Sequence, residues 1–368
     1  MHISGTVAPG FEPVRELLVS NFARGVEDEA QICVYHKGKR VVDLWGSSKE
    51  ANNYGPDSQQ LVFSSSKSVT AITIAMGVDR GFLDYNQKVT HYWPEFGKNG
   101  KGEVILADVL RHEAGLPAFT NLLQWDYIQP QGLQSNQMGK VIEEAQQFFP
   151  PKKTGTRRQY HPFTRGWILN EIFRRAEPNG RTIGQFLREE VSQPMGIDVE
   201  IGVPEDEIAK IHNLKYWKLP YTLCQGLIPA ALGRKIEPNI FELREWSNFF
   251  STKQQFKRDV EVEGSEDFKA APPFKGTSQI TGVIDKINLA PAKTGEIPSV
   301  NGACSARGLA RLGLCILNGG ELDGHRIMSE EGVRKMTSDP KVAKDHAFID
   351  YTTEFTQGGL NIFRFDAE

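Results

Sequence analysis

The chain has 368 residues, of which 39% are hydrophobic and 24% are charged, and its formal net charge is −3. These values predict a globular protein and argue against a nucleic-acid or anionic-membrane partner. The apolar runs are too short for a membrane span, and the N-terminus shows no secretory signal pattern. The four cysteines are scattered, which predicts reduced thiols. The absent signals and the reduced thiols together indicate a cytoplasmic protein.

The N-terminal third predicts a helix, a hairpin and a second helix. Apolar residues recur at helical spacing across residues 14–24. Two β-rich runs, 30–36 and 40–46, flank a short glycine-containing turn and therefore predict a β-hairpin. A strongly apolar helix follows Ser64, and Gly81 is expected to end it as a C-terminal cap.

Ser64 and Lys67 lie three residues apart at the start of that second helix. Positions i and i+3 share a helix face, so Lys67 can reach the Ser64 hydroxyl. A partly buried lysine with a lowered pKa can activate a serine nucleophile, and the helix N-terminus adds positive potential for an oxyanion. The alternative is a serine-rich helix cap with a surface lysine. A second S-x-x-K, Ser338 to Lys341, has no long apolar helix behind it.

The rest of the chain predicts helices and strands that are segregated along the sequence. They do not alternate as strand–helix–strand units, so an α+β fold is favoured. In chain order, the remaining elements are predicted as helices at 108–112, 164–176 and 183–191, a loop-rich insertion at 204–280, a helix at 303–318 and a strand at 355–363.

Six segments occur in one order across nearly the whole chain and resemble the β-lactamase-related serine hydrolases. That family includes class C β-lactamases, penicillin-binding D-Ala-D-Ala peptidases and esterases, and the resemblance is nearest the esterase-like branch. The segments are VVDLWG (41–46), FSSSK (63–67), YWPEF (92–96), VLRHEAGLP (109–117), YHPFTRGW (160–167) and IPSVNG (297–302).

The resemblance implies a β-lactamase/DD-peptidase-like fold with an antiparallel sheet flanked by helices and a mainly helical subdomain. One domain is expected to cover 1–368. Its sheet parts are expected at about 1–60 and 281–368, and its helical and insert region at about 80–280.

The resemblance also implies an acyl-enzyme mechanism without cofactor or metal. Ser64 would attack a small acyl ester or a peptide-like amide, Lys67 would accept the proton, and Tyr160 would assist the proton transfer. Tyr160 occupies the place of the family's Y-x-N tyrosine. Pro162 stands where that pattern has asparagine, which disfavours β-lactam hydrolysis.

Two further readings stay open around this predicted site. Tyr160 could be a core tyrosine with a satisfied hydroxyl. His112 could be a general base for Ser64, although the resemblance places it in a structural turn. His161, next to the tyrosine, is expected to shape the pocket rim.

The family's third element is a K-T-G or H-x-G strand that completes the oxyanion hole. Lys293-Thr-Gly and Ser299-Val-Asn are both interpreted as coincidental matches, because they occur in the reverse of the family order. The expected strand should follow 361–363, yet the chain ends at Glu368. The sequence therefore predicts a truncated family member without the last strands and C-terminal helix, and with weak turnover.

The alternative to a weak enzyme is a non-catalytic family member. Such a protein would act in protein interaction or self-assembly by adding a strand at the open sheet edge. The oligomeric state is left open.

Overall fold

The computed structural model describes residues 1–49, 53–119, 123–149, 158–215, 219–235, 286–345, 347 and 352–362. The predicted α+β class is confirmed, because helices surround several small sheets. The strands in these ranges are β1 His2–Val7, β2 Glu29–His36, β3 Lys39–Ser47, β4 Gln59–Leu61, β5 Val199–Ile201, β6 Ile211–His212, β7 Gly302–Cys304, β8 Glu321–Leu322, β9 His325–Arg326, β10 Lys341–Lys344 and β11 Thr352–Phe355.

The helices lie mainly between β4 and β7, in the region where the sequence predicts them. Several are extended by 3-10 turns, of which Phe63–Ser65 matters most for the site. The described helices are α1 Glu12–Ala23, α2 Ser66–Asp79, α3 Val89–Tyr92, α4 Leu106–Leu110, α5 Pro130–Gln134, α6 Gln137–Glu144, α7 Thr164–Ala176, α8 Ile183–Leu187, α9 Gln193–Met195, α10 Leu219–Leu227, α11 Ala290–Thr294, α12 Ala306–Leu317 and α13 Glu330–Thr337.

The N-terminal sheet is antiparallel, with strand order β1–β3–β2. Side chains of a strand alternate between its faces, and β3 shows the consequence. Val42 and Leu44 pack against Leu18 of α1 on one face. Asp43 faces the other way and accepts hydrogen bonds from Arg307 of α12. Helices therefore flank this sheet on both faces, as expected from the sequence.

A four-stranded sheet with order β5–β7–β4–β6 brings two distant chain segments together. β4 pairs with β7 so that Leu61 lies opposite Ala303. Beyond this pair, the Val62 amide donates to the Gly302 carbonyl at 2.8 Å. The sheet thus fixes the residues just before Ser64 against the loop that follows Ser299. Its strands β5 and β6 lie within the stretch where the sequence predicts mainly helix.

Helix α2 is buried on nearly all sides and forms the centre of the main core. Ile74 and Met76 are inaccessible to solvent, and α2 packs against α7, α8 and α13. A helix that is buried all round lies inside a core. Lys67, in its first turn, is therefore removed from water by the packing of the fold.

Two predicted helix starts differ from the structure, and one predicted segment lies largely outside the described residues. The helix after Ser64 begins at Ser66, since Ser64 belongs to the 3-10 turn before it. The helix predicted at 303–318 spans only Ala306–Leu317, because its first residues form β7. Much of the predicted insertion at 204–280 lies outside the described residues.

The prediction of a single strand over 355–363 is wrong. β11 ends at Phe355, and Asn361 pairs back onto that residue. Gly359 takes a left-handed conformation (φ +78°) that reverses the chain. Gly358 lies so close to the Met336 carbonyl that a side chain would not fit.

None of the helices in the described part of the chain combines the length and apolar composition needed to cross a membrane.

Gly5 offers a test of the β1–β3 pairing. A Cβ at Gly5 would lie 1.9 Å from the Asp43 carbonyl oxygen, whereas one at Gly38 would meet no heavy atom within 4 Å. Both glycines have positive φ, so alanine strains both backbones and clashes only at Gly5. We expect Gly5→Ala to lower the free energy of unfolding by about 1–3 kcal/mol more than Gly38→Ala does. Urea denaturation measures this difference, and equal losses would contradict the pairing.

Candidate active site

Ser64 sits on a sharp turn between β4 and α2. Phe63, the residue before it, has φ +45°, a conformation that costs a non-glycine residue energy. The turn leaves Ser64 exposed to solvent. Ser64 also lies in the first turn of a helical segment, where backbone N–H groups lack intrahelical acceptors. The serine is thus presented outward at the start of a helical segment.

Ser66 holds this turn in place from beneath. Its buried hydroxyl donates to the Phe63 carbonyl at 2.5 Å and accepts from the Gly302 amide at 2.8 Å. A Cβ at Gly302 would come within 2.8 Å of the Ser66 oxygen. One hydroxyl therefore ties the strained residue to β7, and only glycine leaves room for it at position 302.

The Lys67 amine lies directly behind Ser64. Its Nζ is 3.3 Å from Ser64 Oγ, 2.8 Å from the Pro162 carbonyl and 3.0 Å from the Ser299 carbonyl. Burial, together with the nearby charge of Arg165, lowers the pKa of Lys67 well below its usual value near 10.5. A neutral amine has two N–H bonds and one lone pair. The two carbonyls match the two N–H bonds, which leaves the lone pair for the Ser64 hydroxyl.

Tyr160 approaches Ser64 from the other side. Its hydroxyl donates to Ser64 Oγ at 2.8 Å, and its ring centre lies 4.8 Å from Lys67 Nζ. Burial raises the pKa of Tyr160, although the Ser64 hydrogen bond and the charge of Arg165 act in the opposite direction. The phenol therefore keeps its proton at neutral pH and serves as a donor. The structure brings together all three residues that the sequence singled out.

Arg165 is a buried cation in the first turn of α7. Its Nη2 donates to the Gly359 carbonyl at 3.3 Å, and its Nε has no hydrogen-bond partner among the described residues. Burial lowers the pKa of Arg165 to about 10. Its positive charge opposes a second positive charge nearby, which favours the neutral form of Lys67.

The two histidines of the site region are fully buried and neutral. Burial lowers the pKa of His161 to about 3 and that of His112 well below 6.5. His112 Nδ1 accepts from the His161 amide at 2.9 Å, so neutral His112 carries its proton on Nε2. No lone pair then remains to take a proton from Ser64. The geometry favours the structural-turn reading of His112 over the general-base reading.

The expectation that His161 shapes the pocket rim is wrong. Its Nε2 accepts from the Leu116 amide at 3.0 Å, and its Nδ1 bonds the Gln159 carbonyl at 2.6 Å. Both ring nitrogens are therefore used to join two main-chain segments, and the ring is inaccessible to solvent.

Ser299 is a site residue that the sequence interpretation missed. Its carbonyl accepts from Lys67, and its hydroxyl accepts from the Gly166 amide at 2.8 Å. Main-chain carbonyls leave no signature in side-chain chemistry, so a motif search does not find them. Lys293, by contrast, lies in α11 and bonds Ile211 O and Asn213 Oδ1. That placement agrees with the interpretation of its K-T-G as coincidental.

Within the described ranges, no group of three or more histidine, cysteine, aspartate or glutamate side chains is arranged to hold a metal ion. The chemistry of the site is carried by an alcohol, an amine and a phenol.

Proteins of known family resemble this chain over most of its length. The family model described as Beta-lactamase matches residues 18–361. The chain is 28% identical over 340 residues to "Esterase/beta-lactamase LipL" of Mycobacterium tuberculosis, which covers 91% of this chain and 69% of that protein.

Solved structures show the same likeness. A penicillin-binding protein homolog from Caulobacter crescentus superposes with a TM-score of 0.70 at 28% identity, covering 97% of this chain and 82% of that one. A family VIII carboxylesterase superposes with a TM-score of 0.70 at 25% identity, covering 97% and 83%.

The lowered pKa of Lys67 predicts a pH-dependent contribution to stability. Between that pKa and about 10.5, unfolded Lys67 holds a proton that folded Lys67 has lost. Because the unfolded state then binds more protons, the free energy of unfolding rises with pH in this window. The rise is at most about 1.4 kcal/mol per pH unit for one proton.

Lys67→Met removes this titration. We expect the free energy of unfolding of the parent, minus that of Lys67→Met, to increase with pH when urea titrations are compared between pH 6 and 9. A difference that stays constant or falls with pH would show that Lys67 is charged in the folded protein.

Proposed function

The chain belongs to the Beta-lactamase family, and we propose that it is a serine hydrolase that cleaves esters through an acyl-enzyme at Ser64. One observation carries the proposal. The Lys67 amine and the Tyr160 hydroxyl both lie within hydrogen-bonding distance of Ser64 Oγ, and Lys67 is buried. A serine with a buried amine as base is an activated nucleophile.

The contacts support a specific order of proton transfers. Ser64 Oγ attacks the substrate carbonyl, and its proton passes to the lone pair of Lys67. The backbone N–H of Ser64, at the start of this helical segment, would donate a hydrogen bond to the developing oxyanion. Tyr160 gives its phenol proton to the leaving alkoxide and regains a proton from Lys67. Water then attacks the acyl-enzyme with the same residues in reverse.

Esters are a better match than β-lactams or peptides. At the third position of the family's Y-x-N pattern, Pro162 supplies only a main-chain carbonyl, and this carbonyl is already bonded to Lys67. Asparagine would offer a side-chain amide as a donor and acceptor for an amide substrate. The names of two relatives, an esterase/β-lactamase and a carboxylesterase, support the ester class.

The decisive experiment is covalent labelling of the purified chain. An activated acyl ester, a fluorophosphonate and a β-lactam are supplied separately, and intact mass and peptide mapping locate any adduct. We expect one adduct on the Ser64 peptide, formed faster with the ester and fluorophosphonate than with the β-lactam. Ser64→Ala should lose it.

A folded protein that forms no adduct would overturn the proposal and favour the non-catalytic reading. Stoichiometric labelling without repeated turnover would instead support an acyl-enzyme whose hydrolysis is slow.

Lys67 and Tyr160 are tested by their own substitutions. We expect Lys67→Arg to lower the rate of Ser64 labelling by the acyl ester about 10²–10⁴-fold, because a guanidinium cannot accept the proton. Tyr160→Phe should lower it about 10²-fold or more. Stopped-flow or mass-spectrometric labelling rates measure both effects. The second S-x-x-K provides a matched control, since Ser338→Ala should leave the rate unchanged.

The pH dependence gives an independent check. Acylation requires neutral Lys67, so the labelling rate should rise with pH and level off well below pH 10.5. A rate that rises only near pH 10 would mean that Lys67 titrates as an ordinary lysine and is not available as a base at neutral pH.

A further inference from the structure

Asp345 lies directly behind the main chain of Tyr160. Its Oδ1 accepts from the Tyr160 amide at 3.0 Å and from the Ala347 amide at 3.0 Å. The residue is inaccessible to solvent. Tyr160 is thus held at its own backbone by a buried carboxylate that is distant in sequence.

The segment before Tyr160 is fixed to the same part of the chain. Arg158 donates through Nη1 to the Thr353 carbonyl at 2.8 Å and hydroxyl at 2.9 Å, and through Nη2 to the Lys341 carbonyl at 3.1 Å. These partners belong to β10 and β11, which pair as a hairpin. Glu113 also accepts from Arg158 at 2.6 Å. The hairpin that delivers Asp345 is therefore joined firmly to the segment that carries Tyr160.

Burying the Asp345 carboxylate costs stability, so a stabilising role alone does not explain why an aspartate occupies this position. Its Oδ2 has no hydrogen-bond partner among the described residues, although it is buried. A buried carboxylate with an unused oxygen is destabilising, and a neutral side chain could accept the same amide hydrogens. Burial accordingly raises the pKa of Asp345, while the charge of Arg158 acts in the opposite direction.

Two other groups hold the residues beside Tyr160. The Gln159 amide donates to the His112 carbonyl at 3.1 Å, and the His161 amide donates to His112 Nδ1 at 2.9 Å. These contacts fix the neighbours of Tyr160, whereas Asp345 bonds the amide of Tyr160 itself. Because the phenol must reach Ser64 at 2.8 Å, small shifts of this backbone matter.

We propose that Asp345 is a positioning residue for Tyr160, and that the β10–β11 hairpin sets the place of the phenol on Ser64. Asp345 touches neither the substrate nor the reacting atoms, and acts through the Tyr160 backbone. The inference rests on the proposed function, because it is measured by acylation of Ser64.

The experiment is a double-mutant cycle on the rate at which an alkyl ester acylates Ser64, because its alkoxide leaving group requires the Tyr160 proton. We expect Asp345→Ala to lower this rate about 10- to 100-fold, as misplacement of a catalytic group does. In a Tyr160→Phe background, Asp345→Ala should change the rate by less than about 2-fold, since no phenol is left to position. Asp345→Asn retains an acceptor for the amide and should restore the rate to within about 3-fold.

Controls separate positioning from folding. Leu317→Ala, at an exposed site at the end of α12 and outside this hairpin, should leave the rate unchanged. Thermal unfolding of each variant identifies loss of the fold. If Asp345→Ala does not fold, Asp345→Ser replaces it in the same cycle.

The outcomes discriminate clearly. Equal losses in the parent and Tyr160→Phe backgrounds, or no loss in the parent, would overturn the positioning role. A parent protein without Ser64-dependent labelling would instead overturn the proposed function. Labelling of the parent is therefore measured before any Asp345 variant is compared.

Discussion

The buried amine of Lys67 is the interaction on which the site depends. An ammonium ion taken out of water is unfavourable, so burial favours the neutral amine that the proposed mechanism needs. Two main-chain carbonyls, from Pro162 and Ser299, orient this amine while leaving its lone pair toward Ser64. The role of Lys67 thus arises from its surroundings, and those surroundings come from three separate parts of the chain.

The architecture serves to bring those parts together. The 3-10 turn before α2 supplies Ser64, and α2 itself supplies Lys67. The segment before α7 supplies Tyr160 and Pro162, and the loop before β7 supplies Ser299. The β4–β7 pairing joins the Ser64 turn to the loop that carries Ser299, while Ser66 ties the strained Phe63 to Gly302. The segment that carries Tyr160 is joined to the rest of the site through His112 and the β10–β11 hairpin. Secondary structure here mainly fixes distances between loops.

Local features of the site could be predicted, and non-local ones could not. The i, i+3 relation of Ser64 and Lys67 and the helix Thr164–Ala176 follow from spacing alone. The carbonyl of Ser299 and the carboxylate of Asp345 act on residues far away in sequence, and no local pattern reveals such contacts. The strand predicted at 355–363 failed because periodicity ignored Gly358 and Gly359, where neighbouring atoms and φ require a turn.

Several unfavourable features cluster at this site. Phe63 and His112 have left-handed backbones, and Lys67 is buried. Arg165 and Asp345 are buried, and each has one polar atom without a hydrogen-bond partner in the described part of the chain. Each costs stability, and the surrounding core must offset them. Such features persist where the fold over-determines them, and they produce the neutral base, the outward serine and the fixed phenol. The features that cost stability also hold these groups in place before a substrate binds. Such preorganisation is how an active site lowers a reaction barrier.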